Sequence, residues 1–177
     1  MVNGGIMESH EFYMQRALAL ARKAAEYGEV PVGAVIVRKT TGEIVGEGYN
    51  RRETDKHALA HAELMAIDDA CRRLGGWRLP QCALYVTLEP CPMCSGAIVQ
   101  ARIDDVYFGA YDDKNGAVCS VQRMFDLPYN WKPQAQGGMM QAECSDVLSA
   151  FFRLLREKKR NLKKTAAGTC IDAENMV

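Results

Sequence analysis

The stretch ALYVTLEPCPMCSGAIVQA at residues 83–101 decides the fold. ALYVT (83–87) is short, apolar and rich in β-formers, the pattern of a buried strand. Pro92 suits the first turn of a helix, where its missing N–H removes no hydrogen bond, and the helix it opens runs through Ala101. Cys91 and Cys94 lie on the turn between the two, at metal-ligand spacing. About thirty residues upstream, HAELMAI (61–67) places one of only three histidines at the start of another helix, about Ala60 to Leu74, which GGW ends.

Alternation of strand and helix extends in both directions. SHEFYMQRALALARKAAEYG carries a helical apolar stripe at Phe12, Met14, Ala17, Leu18, Ala21, Ala24 and Ala25, closed by Gly28. VPVGAVIV reads as a buried strand, TTGE as a turn and IVGEGYN as a second strand. DVYFGA is a fourth strand after 83–87. Residues 111–138 are rich in turn formers, with a short helix near Val121–Phe125, and a long helix runs from about Ala142 into a basic segment. The class is α/β, one sheet covered by helices on both faces. A chain of 177 residues fits a single domain, with its core at about 9–164 and a flexible tail at 165–177.

Composition narrows the function. With 48% hydrophobic and 25% charged residues the chain is ordinary for a globular protein. No apolar run approaches the ~20 residues that cross a bilayer, and MVNGGIMESH has neither the basic start nor the apolar stretch of a signal peptide. A cytoplasmic location is expected. Seven cysteines at irregular spacings then read as ligands or small core residues in a reducing compartment. Cys71, Cys82, Cys119 and Cys144 are expected to be buried small hydrophobes, Cys170 a tail thiol and His10 a surface residue. The formal net charge of zero conceals a segregation. FFRLLREKKRNLKK (151–164) carries +6 and the rest of the chain −6. Such a run is either a solvated helix face or a patch for phosphates.

Helix starts offer unpaired N–H groups and a positive dipole end, which stabilise thiolates. Two thiolates and an imidazole make a ligand set suited to tetrahedral zinc, and three protein ligands leave the fourth position for water, the mark of a catalytic site. Glu63, close by and not needed as a ligand, is placed to take that water's proton. His57 is the rival: four residues from His61, it would share a helix face and close the site with a fourth ligand. RRETDKHAL reads instead as a loop leading into the helix.

HxE followed by PCxxC, together with VPVGAVIV, GEGYNRR, LYVTLEPCPMCSGAIVQARI, VYFGAYDDKNGA and FFRLLREKK in that order, resembles the zinc-dependent nucleobase deaminases, and within them the bacterial tRNA adenosine deaminases. The likeness covers roughly residues 9–164. It implies a three-layer α/β/α cytidine deaminase-like fold with a central mixed sheet of about five strands. It also implies one zinc ion per subunit on His61, Cys91 and Cys94, and Glu63 as the catalytic base and acid that turns adenosine into inosine. Asn50, the backbone N–H of Ala62, the apolar wall at Val32, and Asp112 would contact the target nucleotide. Phe152, Arg153, Arg156 and Lys159 would meet the tRNA anticodon stem-loop, whose wobble adenosine is splayed into the pocket. A homodimer is implied as well, with no membrane attachment. Free-base deaminases for guanine or cytosine share the zinc signature, and a non-catalytic zinc-binding RNA module is an alternative of another class. The chain departs from the family at Ala58-Leu59 and at Asn130-Trp131, where tryptophan is positioned to stack on a base. Tyr111 and Asn115 lie in a variable loop.

Overall fold

The computed structural model describes the backbone of residues 8–171 and the side chains of residues 8–162. Ten elements follow one another: α1 (His10–Glu26), β1 (Gly33–Arg38), β2 (Glu43–Tyr49), α2 (Ala62–Leu74), β3 (Cys82–Leu88), α3 (Pro92–Ala101), β4 (Asp105–Ala110), a 3-10 turn (Met124–Asp126), β5 (Gln134–Gln136) and α4 (Gln141–Ile171). The five strands form one mixed sheet in the order β2-β1-β3-β4-β5. β1 is antiparallel to β2 and β3, whereas β3, β4 and β5 run parallel. Because β3 and β4 are parallel, α3 must cross over between them, and the chain leaves both strands at the same end of the sheet.

Side chains alternate across the strands and build a core on each face. Ala34, Ile36, Leu84, Val86, Val106 and Phe108 pack with Ala62, Ala66, Ala70 and Ile98 of α2 and α3. Val35, Val37, Ala83 and Tyr85 pack with Tyr13, Met14, Ala17 and Leu18 of α1 and with Cys144 of α4. The result is the expected three-layer α/β/α arrangement with five strands. None of the described helices is long and apolar enough to cross a membrane.

Local chemistry sets the helix ends. The Ser9 side chain accepts a hydrogen bond from the Phe12 N–H and caps α1. Gly28, at φ +77°, supplies the left-handed turn that follows it. The buried stripe of α1 includes Tyr13, whose hydroxyl donates to Gly42 O at 2.8 Å, rather than Phe12, which is 39% exposed. α2 starts at Ala62, two residues later than its apolar pattern indicates, because the preceding residues form turns: Ala60 N donates to His57 O and His61 N to Leu59 O. The strand over 134–136 is not legible in sequence, since all three of its residues are exposed and no alternation marks it.

Two cysteine expectations change, and His10 lies at the surface as expected. Cys82 and Cys144 are buried, but Cys119 is exposed, because its loop turns the backbone inward and the side chain out. Cys71 is only half-buried. His10 is exposed, yet its Nδ1 lies 2.8 Å from the Tyr85 hydroxyl and its ring packs on Tyr107. Trp131 is a structural residue: its indole N–H donates to Ile103 O at 2.8 Å and its ring packs against the core. α4 continues past the basic run to Ile171. Cys170 and the rest of the expected tail carry no described side chains, and residues 172–177 lie outside the described residues altogether.

The position of α2 depends on bare backbone beneath it. A Cβ on Gly46 or Gly48 of β2 would fall on the carbonyl oxygens of Ala66 or Ala62, so the helix rests directly on the strand. Gly48→Ala is expected to push the first turn of α2 off the sheet at a cost of about 1–3 kcal/mol. Gly76→Ala, where nothing lies within 4 Å, should stay within about 0.5 kcal/mol of the parent. Urea denaturation of the two variants tests the contact; equal midpoints would refute it.

Candidate active site

Two helix starts converge beyond the end of β3. His61 is the N-cap residue of α2 and Cys91 that of α3, and neither side chain caps its helix. Their polar atoms turn toward each other instead. Nδ1 of His61 lies 3.8 Å from Cys91 Sγ and 3.5 Å from Cys94 Sγ. These three residues form a group whose ligand atoms all fall within 4.8 Å of one another. Zinc with bonds of about 2.3 Å to sulfur and about 2.0 Å to nitrogen, at tetrahedral angles, separates its sulfur and nitrogen ligands by about 3.6 Å. The donor set and its spacing therefore fit the ion. Exposed His57 lies in the turns before α2, outside this group, so among the described residues there is no fourth ligand.

The electrostatics prepare the same site. The Cys91 thiol, receiving a hydrogen bond from Cys94 and facing His61, is lowered to about 4. Cys94 is pushed up, because the sulfur it faces is already ionised and because it is buried. His61 is raised by its bond to Cys91. One thiolate thus stands ready, and metal uptake must expel the proton that Cys94 keeps. Burial, aided by the negative charge of Cys91, pushes Glu63 up to about 7. A carboxyl poised there exchanges protons at neutral pH.

A cavity of about 860 Å³ opens onto these groups, within the range of small-ligand sites. Val32, Asn50, Ala62, Glu63, Asp112 and Phe152 all line it, beside His61 and Cys91. Cys94 lies underneath, fully buried. Ala62 is the first residue of α2, where a backbone N–H has no acceptor within its own helix. The side-chain N–H2 of Asn50 donates to Glu29 Oε2 at 3.4 Å and Val30 O at 3.3 Å, which holds the amide at the cavity wall. Asp112 also organises its own loop, its Oδ1 accepting the N–H groups of Lys114 and Asn115 at 3.0 and 3.1 Å. Arg153, Arg156 and Lys159 are exposed along α4 and do not line the cavity.

Sequence reasoning missed two buried carboxylates. Glu29 is 0% exposed and accepts the backbone N–H groups of Glu53 and Thr54 in addition to Asn50. It thereby ties the loop after β2 to the loop after α1. Glu89 does the same for the loop after β4. Burial alone would raise Glu89, but a hydrogen bond from the Ser120 side chain and those from the N–H groups of Cys119, Ser120 and Asp112 outweigh it and leave the carboxyl below its ordinary value. The available signal was an acid embedded in an apolar context, as in YGEVPV and VTLEPC.

Comparison with known proteins places this geometry. Residues 7–110 match the family described as the cytidine and deoxycytidylate deaminase zinc-binding region. The tRNA-specific adenosine deaminase of Bacillus subtilis is 46% identical over 159 residues, covering 89% of this chain and 98% of that protein. That of Aquifex aeolicus is 47% identical over 147 residues, covering 82% and 95%. A solved structure from work on A-to-I editing by tRNA:A34 deaminases at the wobble position superposes with a TM-score of 0.74 at 43% identity, covering 77% of this chain and 99% of its own. A guanine deaminase structure from Bacillus subtilis gives 0.56 at 38% identity, covering 73% and 85%. With His61, Cys91 and Cys94 grouped at the starts of α2 and α3, this chain belongs to the cytidine and deoxycytidylate deaminase zinc-binding family.

Proposed function

We propose that this protein is a zinc-dependent hydrolase that deaminates adenosine to inosine at the wobble position of a tRNA anticodon. The observation that carries the chemistry is the three-ligand site opening on a cavity beside buried Glu63. Relatives of nearly full coverage, named tRNA-specific adenosine deaminases, support the substrate.

Zinc, when bound by His61, Cys91 and Cys94, supplies a water acidified toward a pKa of ~7. Glu63 takes a proton from the attacking water and gives it to N1 of the adenine as the C6–O bond forms. It then carries the second proton to the amino group, so that the C6–N bond breaks and ammonia leaves. Water is consumed and ammonia released, with no net proton change at Glu63. One carboxyl serves as base and acid because the proton it takes from water is the one it passes to the substrate. Asn50, the Ala62 N–H and the Val32 wall hold the base edge, and Asp112 faces the nucleotide from its loop. Phe152 lies at the cavity where α4 begins its basic run, and offers a ring to a flanking base. Arg153, Arg156 and Lys159 extend from there as phosphate contacts. A homodimer is part of this reading, as the family resemblance implies.

Glu63→Gln is expected to keep zinc and RNA binding while turnover of an anticodon stem-loop bearing adenosine at the first anticodon position falls about a thousandfold. Inosine formation by that variant at the parent rate would remove Glu63 from the mechanism, and activity of the parent on free guanine alone would replace the substrate. Neutralising Arg153, Arg156 and Lys159 together should lower the salt slope of stem-loop affinity by roughly two; an unchanged slope would take α4 out of the interface. Sedimentation equilibrium of the 19.6 kDa chain should give twice that mass, and a monomer at all concentrations would remove the dimer.

A further inference from the structure

Glu89 stands one residue past β3 and two before the ligand Cys91, and no step above uses it. It is 2% exposed. Its Oε1 accepts the N–H groups of Val118, Cys119 and Ser120 at 3.2, 2.7 and 2.9 Å. Its Oε2 accepts the N–H of Asp112 at 3.1 Å and the hydroxyl of Ser120. All five bonding partners are donors, which is what lets a carboxylate lose its water. The backbone beside it joins in: Glu89 N donates to Ala110 O at 2.8 Å, and Pro90 O accepts from Ala117 N at 2.9 Å. Gly116 closes the loop over the carboxylate so tightly that a Cβ there would fall on it.

The loop pinned this way supplies Tyr111, Asp112, Asp113, Lys114 and Asn115 to the cavity wall. It pairs with no neighbouring strand between β4 and β5, so its position is set by bonds of this kind. We propose that Glu89 is a positioning residue for the substrate. By holding the Asp112 amide, it sets where residues 111–115 meet the nucleotide, and binding depends on it while proton transfer at Glu63 does not. The inference rests on the function proposed above.

The two oxygens have different tasks, and an isosteric change separates them. In Glu89→Gln, an amide nitrogen at the Oε2 position can donate to the Ser120 hydroxyl, which accepts as well as donates. The oxygen at the Oε1 position keeps its three N–H groups, and only the Asp112 N–H faces a second donor. The expected result is a KM for the anticodon stem-loop raised about tenfold, with kcat within about twofold of the parent and zinc content unchanged. In the substrate-free protein, NMR hydrogen exchange should speed up at Asp112 and stay slow at Cys119 and Ser120. Gly116→Ala crowds the same carboxylate from the loop side and should give the same KM defect; it decides the matter alone if Glu89→Gln does not fold. An unchanged KM with the Asp112 amide released overturns the proposal, and so does a kcat that falls in step with zinc content, which would place the role at the ligand turn. The exchange experiment needs no substrate. A parent chain that protects the Asp112 amide but forms no inosine therefore defeats the proposed function and not the anchoring.

Discussion

Three ligand atoms from two separate segments must meet at one point, and that requirement organises the molecule. The starts of α2 and α3 have to approach each other beyond the end of β3, with their N-cap side chains turned away from their own helices. α3 follows β3 almost directly, so the position of Cys91 and Cys94 comes from chain continuity. His61 has no such tether, since its helix reaches the site only by lying on β2. The bare backbone at Gly46 and Gly48 permits that approach; any side chain there would lift α2 and carry the imidazole away from the sulfurs.

A second layer of constraint lies in the two buried glutamates. Removing a carboxylate from water costs several kcal/mol unless donors replace the hydration shell. Here most of the donors are backbone N–H groups of irregular loops. Each carboxylate thus converts an irregular segment into a fixed wall: Glu29 for the loop after β2, with Asn50, and Glu89 for the loop after β4, with Asp112. Glu63 is buried under different conditions. Desolvation dominates there, and its carboxyl is held near neutrality, whereas the hydrogen bonds to Glu89 keep that group ionised. Both acids are buried, and the number of donors around each separates their tasks.

Charge is arranged on a larger scale by the same economy. The +6 segment is confined to α4, which from Phe152 to Leu162 has exposed side chains, while the acidic excess is spread over the rest of the chain. Phe152 marks the point where this helix passes the cavity. A polyanion drawn along the basic stretch would be led to the mouth of that cavity.

Most of this fold could be read along the chain because its elements carry strong local signals. Short continuous apolar runs mark β1 and β3, Pro92 opens α3, and Gly28 closes the α1 region. β5 and the exposure of Cys119 were not legible, because exposed residues in a turn-rich stretch impose no pattern, and Trp131 read as surface because only its partner Ile103 shows that it is core. The grouping of His61, Cys91 and Cys94 beside Glu63 was legible because metal chemistry restricts residue type and spacing together. By itself, then, the sequence determined the α/β class, the candidate metal group of His61, Cys91 and Cys94, and the cationic helix, all of which are written in local spacing. Only tertiary structure decided that His57 stays out of the site, that Asp112 is held by a carboxylate 23 residues before it, and that Glu29 and Glu89 shape the pocket. Those outcomes depend on backbone groups from distant segments meeting one buried charge, and no spacing along a chain encodes such a meeting.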